Sequence, residues 1–274
     1  MSENTAGNQG TVSVPAPKAE LLKRLTNAEG EFYVVMSLCT KLPYIVCDEE
    51  TYDDEILLYF TEEEVKAEFE HLNSLHIPVN VTKLKTPQMM FFFTSLFTMG
   101  VNAMLLNLNG EKTIVQLTEI VKKKEKEDMP EGSNWVENPE LHLTAIYMAQ
   151  LLRTPTKENI TEKLRELQEE LTDCFRKGKF IFGMEKEGQG TPLVKLKDEK
   201  TYQPIFTDVL EFQRFNKENK FRPVVVEGAN LQKVLPKQAQ GVVLNMMSVA
   251  LPLMIGMTNA AGAVADAAKE MPEA

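Results

Sequence analysis

The sequence predicts an α+β protein built from two tandem repeats, each a small mixed sheet with packed helices. Three observations carry this. Short runs rich in aromatic and β-branched residues alternate with amphipathic helical stretches. Five short motifs recur in the same order along the chain, offset by about 138 to 150 residues, a drift that small loop insertions produce. The 274 residues suit two domains, and 43% hydrophobic with 26% charged residues is the composition of an ordinary globular chain.

The recurring motifs are quickly stated. Leu25-Thr26 with Gly30-Glu31-Phe32 matches Leu171-Thr172 with Gly178-Lys179-Phe180, and Asp48 to Tyr52 matches Asp198 to Tyr202. Phe60-Thr61-Glu62 matches Phe206-Thr207-Asp208, Pro78-Val79 matches Pro223-Val224, and Leu105-Leu106-Asn107 matches Val243-Leu244-Asn245.

Each repeat reads as one series of elements. A helix opens it, over Lys18–Asn27 and Ile160–Phe175; in the second, Ile160, Leu164, Leu167 and Leu171 make one apolar stripe, with Asn159 and Glu162 as a capping pair. Two strands follow, Phe32–Ser37 with Ile56–Phe60 and Phe180–Met184 with the region of Ile205-Phe206. Thr61 and Thr207 are then expected to cap the next helix, followed by acid where the helix dipole favours it. That helix ends near Leu72 or Asn219, a Pro-led strand begins at Pro78 or Pro223, and a second helix and a last strand ending at Asn107 or Asn245 complete the unit. The repeats occupy 19–121 and 140–253, the latter opening on a bridging helix over Leu141–Leu152. Residues 1–18 read as a disordered tail, 122–139 as a charged linker and 254–274 as an Ala-rich tail.

Composition narrows the functional classes. A net charge of −10 argues against a nucleic-acid partner. Three cysteines (Cys39, Cys47, Cys174) fit a reducing compartment, and the N-terminus shows neither a signal sequence nor a lipidation box, so a cytoplasmic location is expected. Two long windows without charge, Thr86–Gly110 and Gln238–Ala265, are interrupted by polar residues and read as a buried helix plus strand, with no stable membrane insertion.

The chemistry-bearing residues yield no reaction. Cys39, Cys47, His71 and His76 lack zinc-knuckle spacing, and repeat two has none of them at matching places. The acidic run Asp48–Glu55 lacks the glycine and ligand spacing of a calcium loop. No metal and no cofactor are therefore expected. No phosphate loop, dinucleotide fingerprint or nucleophile elbow occurs, and none of His71, His76 and His142 stands beside a nucleophile in the sequence, so no catalytic residue is assigned. The strongest functional signal is Met89, Met90, Phe91, Phe92 and Phe93. Neighbours on a helix lie about 100° apart, so one face cannot bury all five. Some are expected to pack between the repeats and the rest to face a partner or a second copy.

Gly178-Lys179-Phe180, Pro204-Ile205-Phe206-Thr207-Asp208 and Gly241-Val242-Val243-Leu244-Asn245 together resemble the SseB family, named for enhanced serine sensitivity. Repeat one departs from the pattern in having Asn102-Ala103 where a glycine is expected, and Leu108 and Met246 replace the proline that usually follows the last Asn. The resemblance spans roughly 19–253 and implies a fold, with Phe60, Thr61, Asn107, Phe206, Thr207 and Asn245 as structural motif residues and no catalytic residues to carry over. The expected function is a non-catalytic protein-interaction or scaffolding module, with a small-molecule-sensing regulatory domain as the alternative.

Overall fold

The structure is a computed structural model that describes residues 16–26, 30–108, 110–123, 135–155, 160–188 and 190–254. Most of the expected N-terminal tail, residues 124–134 of the linker, Asn159 and the Ala-rich tail past 254 lie outside the described residues.

The first unit runs α1 (Ala16–Thr26), β1 (Glu31–Ser37), β2 (Ile45–Cys47), β3 (Asp54–Tyr59), α2 (Glu62–Ser74), β4 (Val79–Lys85), α3 (Thr86–Thr98), β5 (Ala103–Leu108) and β6 (Glu111–Gln116). After α4 (Pro139–Arg153), the second repeats it: α5 (Thr161–Lys177), β7 (Lys179–Glu185), β8 (Val194–Lys195), β9 (Thr201–Phe206), α6 (Val209–Phe215), β10 (Phe221–Glu227), α7 (Leu231–Val234), β11 (Gly241–Leu244) and β12 (Leu251–Met254). Strand order is β4-β1-β3-β5-β6 in one sheet and β10-β7-β9-β11-β12 in the other, with β2 on β3 and β8 on β9. In each sheet the central pair, β3·β5 or β9·β11, is parallel and the remaining pairs are antiparallel. The chain is α+β with two sheet-containing units of the same topology.

Pleating sorts the side chains into three cores. Phe32, Val34, Ile56, Leu58, Ile205, Val242 and Leu244 face one continuous core that also takes in α1, α3, α4 and α5. The outer faces carry smaller cores, Val35, Leu57 and Tyr59 with Val65 and Leu72 of α2, and Ile181 and Phe206 with Phe212 of α6.

Register corrects parts of the motif alignment. β1 and β7 are both seven residues long, so Gly30-Glu31-Phe32 and Gly178-Lys179-Phe180 coincide. Tyr59 pairs with Tyr33 as Phe206 pairs with Ile181, which makes Tyr59, and not Phe60, the counterpart of Phe206. Phe60 is the counterpart of Thr207 and Thr61 that of Asp208. The caps agree: Thr61 Oγ1 accepts from Glu64 N at the start of α2, whereas Asp208, not Thr207, caps α6 through Glu211 N. The period of two in a strand is unforgiving of a one-residue slip, which moves a side chain to the opposite face. Phe60 packs edge-on against Phe32 in the central core, while Phe206 lies on the outer face.

Other expectations also shift. Asp48 and Asp198 each accept from the amide two residues on, in the β2–β3 and β8–β9 turns. Tyr52, however, is exposed in its loop and Tyr202 buried on β9, so the Asp-to-Tyr match holds only at its start. Pro78 precedes β4, and Pro223 is the third residue of edge strand β10, where a missing N–H costs little. Leu58 pairs with Leu106 and Ile205 with Leu244, so Asn107 and Asn245 are equivalent, but neither ends its unit. A further antiparallel strand, β6 or β12, follows each. The second helix expected in the second repeat is only the four residues of α7.

One acid on this frame is unusual. Glu55 is buried on β3 and its Oε1 has no hydrogen-bond partner. Burial, with Asp48 and Asp53 nearby, pushes its carboxyl up to about 7. Folding therefore favours the neutral form. Its contribution is complete below the ordinary value of 4.5 and is lost as pH rises through about 7. Between pH 5 and pH 8, denaturant melts of the natural chain should lose about 1–3 kcal/mol more stability than those of Glu55→Gln. Parallel pH profiles for the two chains would contradict this.

Candidate functional site

Helix α3 begins with Pro87 in its first turn, where a missing N–H is harmless. Met89, Phe93 and Leu96 follow at four- and three-residue steps and are buried in the central core. Phe92 packs against that core from a half-buried position. The opposite face holds Met90 and Phe91, 55% and 65% exposed. The five-residue apolar run is thus divided by helix geometry, with Met89 and Phe93 inside and Met90 and Phe91 outside. The helix stops at Gly100, whose φ of +81° suits a residue without a side chain; a Cβ there would lie 2.7 Å from the Pro139 carbonyl and strike Leu143. This close approach sets the end of α3 against the start of α4.

Between α3 and the first turn of α6 lies a cleft of about 390 Å³. Phe91, Phe97 and Thr98 form one wall, and Asp208, Val209 and Leu210 the other. Lys123, Trp135 and Glu137 close the remaining side, and Val209 is 46% exposed at the rim. Burial raises the Glu137 carboxyl, against the opposing pull of Lys123 and a Trp135 hydrogen bond.

Beneath the cleft is a buried polar cluster. His142 of α4 places Nδ1 3.1 Å from the Thr98 carbonyl, 3.3 Å from Thr207 Oγ1 and 3.4 Å from Asp208 Oδ2. Thr98 O can only accept, so Nδ1 carries a proton. The Thr207 hydroxyl donates to Asp208 Oδ2 at 2.7 Å and accepts from Asn245 Nδ2 at 2.9 Å, while the Thr207 N–H donates to Asn245 Oδ1 at 3.0 Å. Asn245 takes a left-handed backbone, φ +49°, which asparagine tolerates and which aims its amide at β9. Burial opposes ionisation of Asp208, yet His142, the Glu211 N–H and the Thr207 hydroxyl together hold its carboxyl below the usual range. Next to it, burial raises the Glu211 carboxyl despite Arg214 at 2.9 Å and the Ser248 hydroxyl at 2.6 Å.

This Thr–His–Asp grouping does not have the geometry of a nucleophilic triad. A relay needs one imidazole nitrogen on the nucleophile and the other on the acid. Here all three partners converge on Nδ1, Nε2 is buried without a partner, and Thr207 has no exposed surface. The cluster is suited to holding two repeats in register rather than to attacking a substrate.

Of the motif residues, Thr207 and Asn245 are in this cluster, Phe206 backs it from the outer face, and Phe60, Thr61 and Asn107 lie in the first unit away from it. Cys39 is buried beside Thr154 and Arg153, and Cys47 is exposed on β2. His71 lies in the last turn of α2 and His76 just beyond it. Among the described residues, no three His, Cys, Asp or Glu side chains are grouped to hold a metal, and no helix is long and apolar enough to cross a membrane. Sequence reasoning did not find His142, Asp208 or Asn138. The side-chain partners of His142 and Asn138 are between 41 and 69 residues away, and no local motif marks them; for Asp208 the Asp208–Glu211 capping spacing was the one available signal.

No family profile matches the chain, and no curated protein matches it. Two solved structures are similar in part. Tic22 from Plasmodium falciparum covers 77% of this chain and 84% of its own at 10% identity, with a TM-score of 0.22. Anabaena Tic22, a protein described as acting in protein transport, covers 81% and 91% at 11% identity, also with a TM-score of 0.22.

The two caps differ in what depends on them. Thr61→Ala removes one exposed capping bond and should cost about 0.5–2 kcal/mol. Asp208→Ala removes a cap and also strips the Thr207 hydroxyl and His142 of an acceptor inside the protein, which raises the expected loss to about 2–4 kcal/mol. Equal losses in denaturant melts would show that the buried cluster adds nothing to the cap.

Proposed function

We propose that this chain is a non-catalytic, SseB-like protein-interaction module that receives a protein partner at the α3–α6 cleft. The observation that carries the reading is the exposure of Met90 and Phe91 beside exposed Val209, on a helix whose other face is wholly committed to the core. Each large apolar side chain left in water forgoes about 1.5–3 kcal/mol that burial would return, and a contiguous group of them beside a cleft is the signature of a contact surface. The SseB assignment rests on the glycine-led strands β7 and β11 and on Asn245 after the latter. A cytoplasmic setting agrees with three free cysteines.

A second reading has its own support. At about 390 Å³ with aromatic walls, the cleft falls in the size range of small-molecule sites. A regulatory ligand would occupy the cleft itself, whereas a protein would also cover Met90 and Phe91.

Substitution separates packing from contact. Phe93→Ala should cost about 3–5 kcal/mol and lower the melting temperature. Phe91→Ser should change stability by no more than about 0.5 kcal/mol. A photo-crosslinking residue at 91 should capture a defined protein that one at exposed position 52 does not. Identical captures from 91 and 52, or a Phe91→Ser chain as unstable as Phe93→Ala, would overturn the assignment.

A further inference from the structure

This inference rests on the interaction reading and concerns what the cleft selects. Its walls combine aromatic faces with a half-buried carboxylate, that of Glu137. Phe91 and Phe97 stand on α3 and Trp135 on the facing segment, where Glu137 and Lys123 also lie, while the Asp208 carboxylate is buried beneath, bonded to Thr207, Glu211 N–H and His142. Asp208 is kept ionised by the groups around it. Glu137 is a carboxylate that burial disfavours and that Lys123 only partly relieves, so a further cation would stabilise it. The chain as a whole carries −10, which draws basic partners and repels acidic ones.

We propose that the cleft accepts an arginine side chain presented by an apolar segment of a partner protein. Its guanidinium meets Glu137 and the aromatic faces, and its apolar neighbours cover Met90, Phe91 and Val209. Arginine fits better than lysine because its planar head both stacks on rings and bonds a carboxylate through two N–H groups. A second copy of this chain fits poorly, since pairing the same surface would set acid against acid. An anionic ligand would face the Glu137 carboxylate, with that of Asp208 buried beneath.

Trp135 is the single tryptophan of the chain, so its fluorescence reports on the cleft alone. The full chain is titrated with acetyl-Leu-Arg-Leu-amide, with its citrulline analogue (the same shape without the charge) and with its glutamate analogue. The arginine peptide should give a saturable change and bind roughly fivefold to tenfold more tightly than the citrulline peptide, with no response to glutamate. The advantage should shrink in about 0.3 M salt and vanish in Glu137→Gln. If that variant melts early, the citrulline and salt comparisons on the natural chain decide the matter. Equal binding of arginine and citrulline peptides overturns the cation preference while leaving the apolar contact surface standing. Acetyl-arginine-amide binding as tightly as the tripeptide overturns the partner segment in favour of a small-molecule site. No saturable response to the arginine peptide up to about 10 mM overturns the proposal altogether.

Discussion

The fold depends on the hydrogen bonds that α4 makes in both directions. This helix is buried on nearly all sides, yet it carries Asn138 at its cap and His142, Tyr147, Gln150 and Arg153 along its length. A buried polar group without a partner costs about 1–3 kcal/mol; His142 Nε2 is left without one, and the other groups find partners drawn from both repeats. Gln150 accepts from Ile45 N–H and donates to Ile45 C=O, extending the edge of β2. Tyr147 donates to Asp54 at 2.6 Å. At the other end, Asn138 donates to the carbonyls of Lys179 and Thr207 and accepts from Lys179 N–H. Arg153 reaches the carbonyls of both Cys39 and Ala250, and His142 touches Thr98 on one side and Thr207 with Asp208 on the other. Apolar contact would tolerate a sliding joint; this set of bonds fixes one register. The cleft is preformed for that reason, because both of its walls are bonded to the same imidazole.

Duplication supplied the frame, and the departures from symmetry supplied the site. Phe60 fills the central core in the first unit, and its counterpart Thr207 opens the polar cluster in the second. Thr61 is an exposed cap, and its counterpart Asp208 is a buried one with three partners. Ile56 has no exposed surface in the core, and the same strand position in the second unit holds Gln203, equally buried, whose amide nitrogen finds the Pro204 carbonyl and whose oxygen has no partner. The first and last of these exchanges trade packing for polarity, and the second buries a cap that is exposed in the first unit. The changes belong together: a threonine at 207 would be costly without Asn245 and His142 to bond it.

What could be read from the sequence follows the range of the interactions. The α+β class, the duplication and the bridging helix were legible because periodicity and turn chemistry act within a few residues. The Gly-x-Phe and Leu-Asn motifs fell on equivalent positions, since each sits on a strand whose ends are pinned by pairing. The Phe-Thr match slipped by one, because two adjacent residues of similar type cannot reveal which face each takes. The added strands β6 and β12 were missed although the first was signalled: Asn-Gly at 109–110 between apolar runs is a hairpin signature, and Gly110 has the positive φ such a turn needs. At the site, the helical period divides Met89–Phe93 into buried and exposed pairs, so that half of the surface was within reach. Which face met the core was not, for it depends on where β4 and α4 lie.

The exposed apolar surface of α3 exists because the repeats are unequal at one place. Between β4 and β5 the first unit inserts the thirteen residues of α3, whereas between β10 and β11 the second has a 3₁₀ turn and the four residues of α7. A helix of four residues has almost no face to spare. One of thirteen can bury Met89, Phe93 and Leu96 and still hold Met90, Phe91, Thr94 and Thr98 clear of them. Thr94 and Thr98 return their hydroxyls to backbone carbonyls of α3, which leaves the outer wall with few unmet polar groups and an apolar character. Had the second repeat kept an equally long helix here, the exposed apolar surface would occur twice. Its confinement to one copy places the aromatic wall opposite Asp208, the residue that distinguishes the second cap from the first. The duplicated fold thus presents an asymmetric cleft, with the aromatic wall of α3 from one repeat and Val209 and Leu210, above the buried Asp208, from the other.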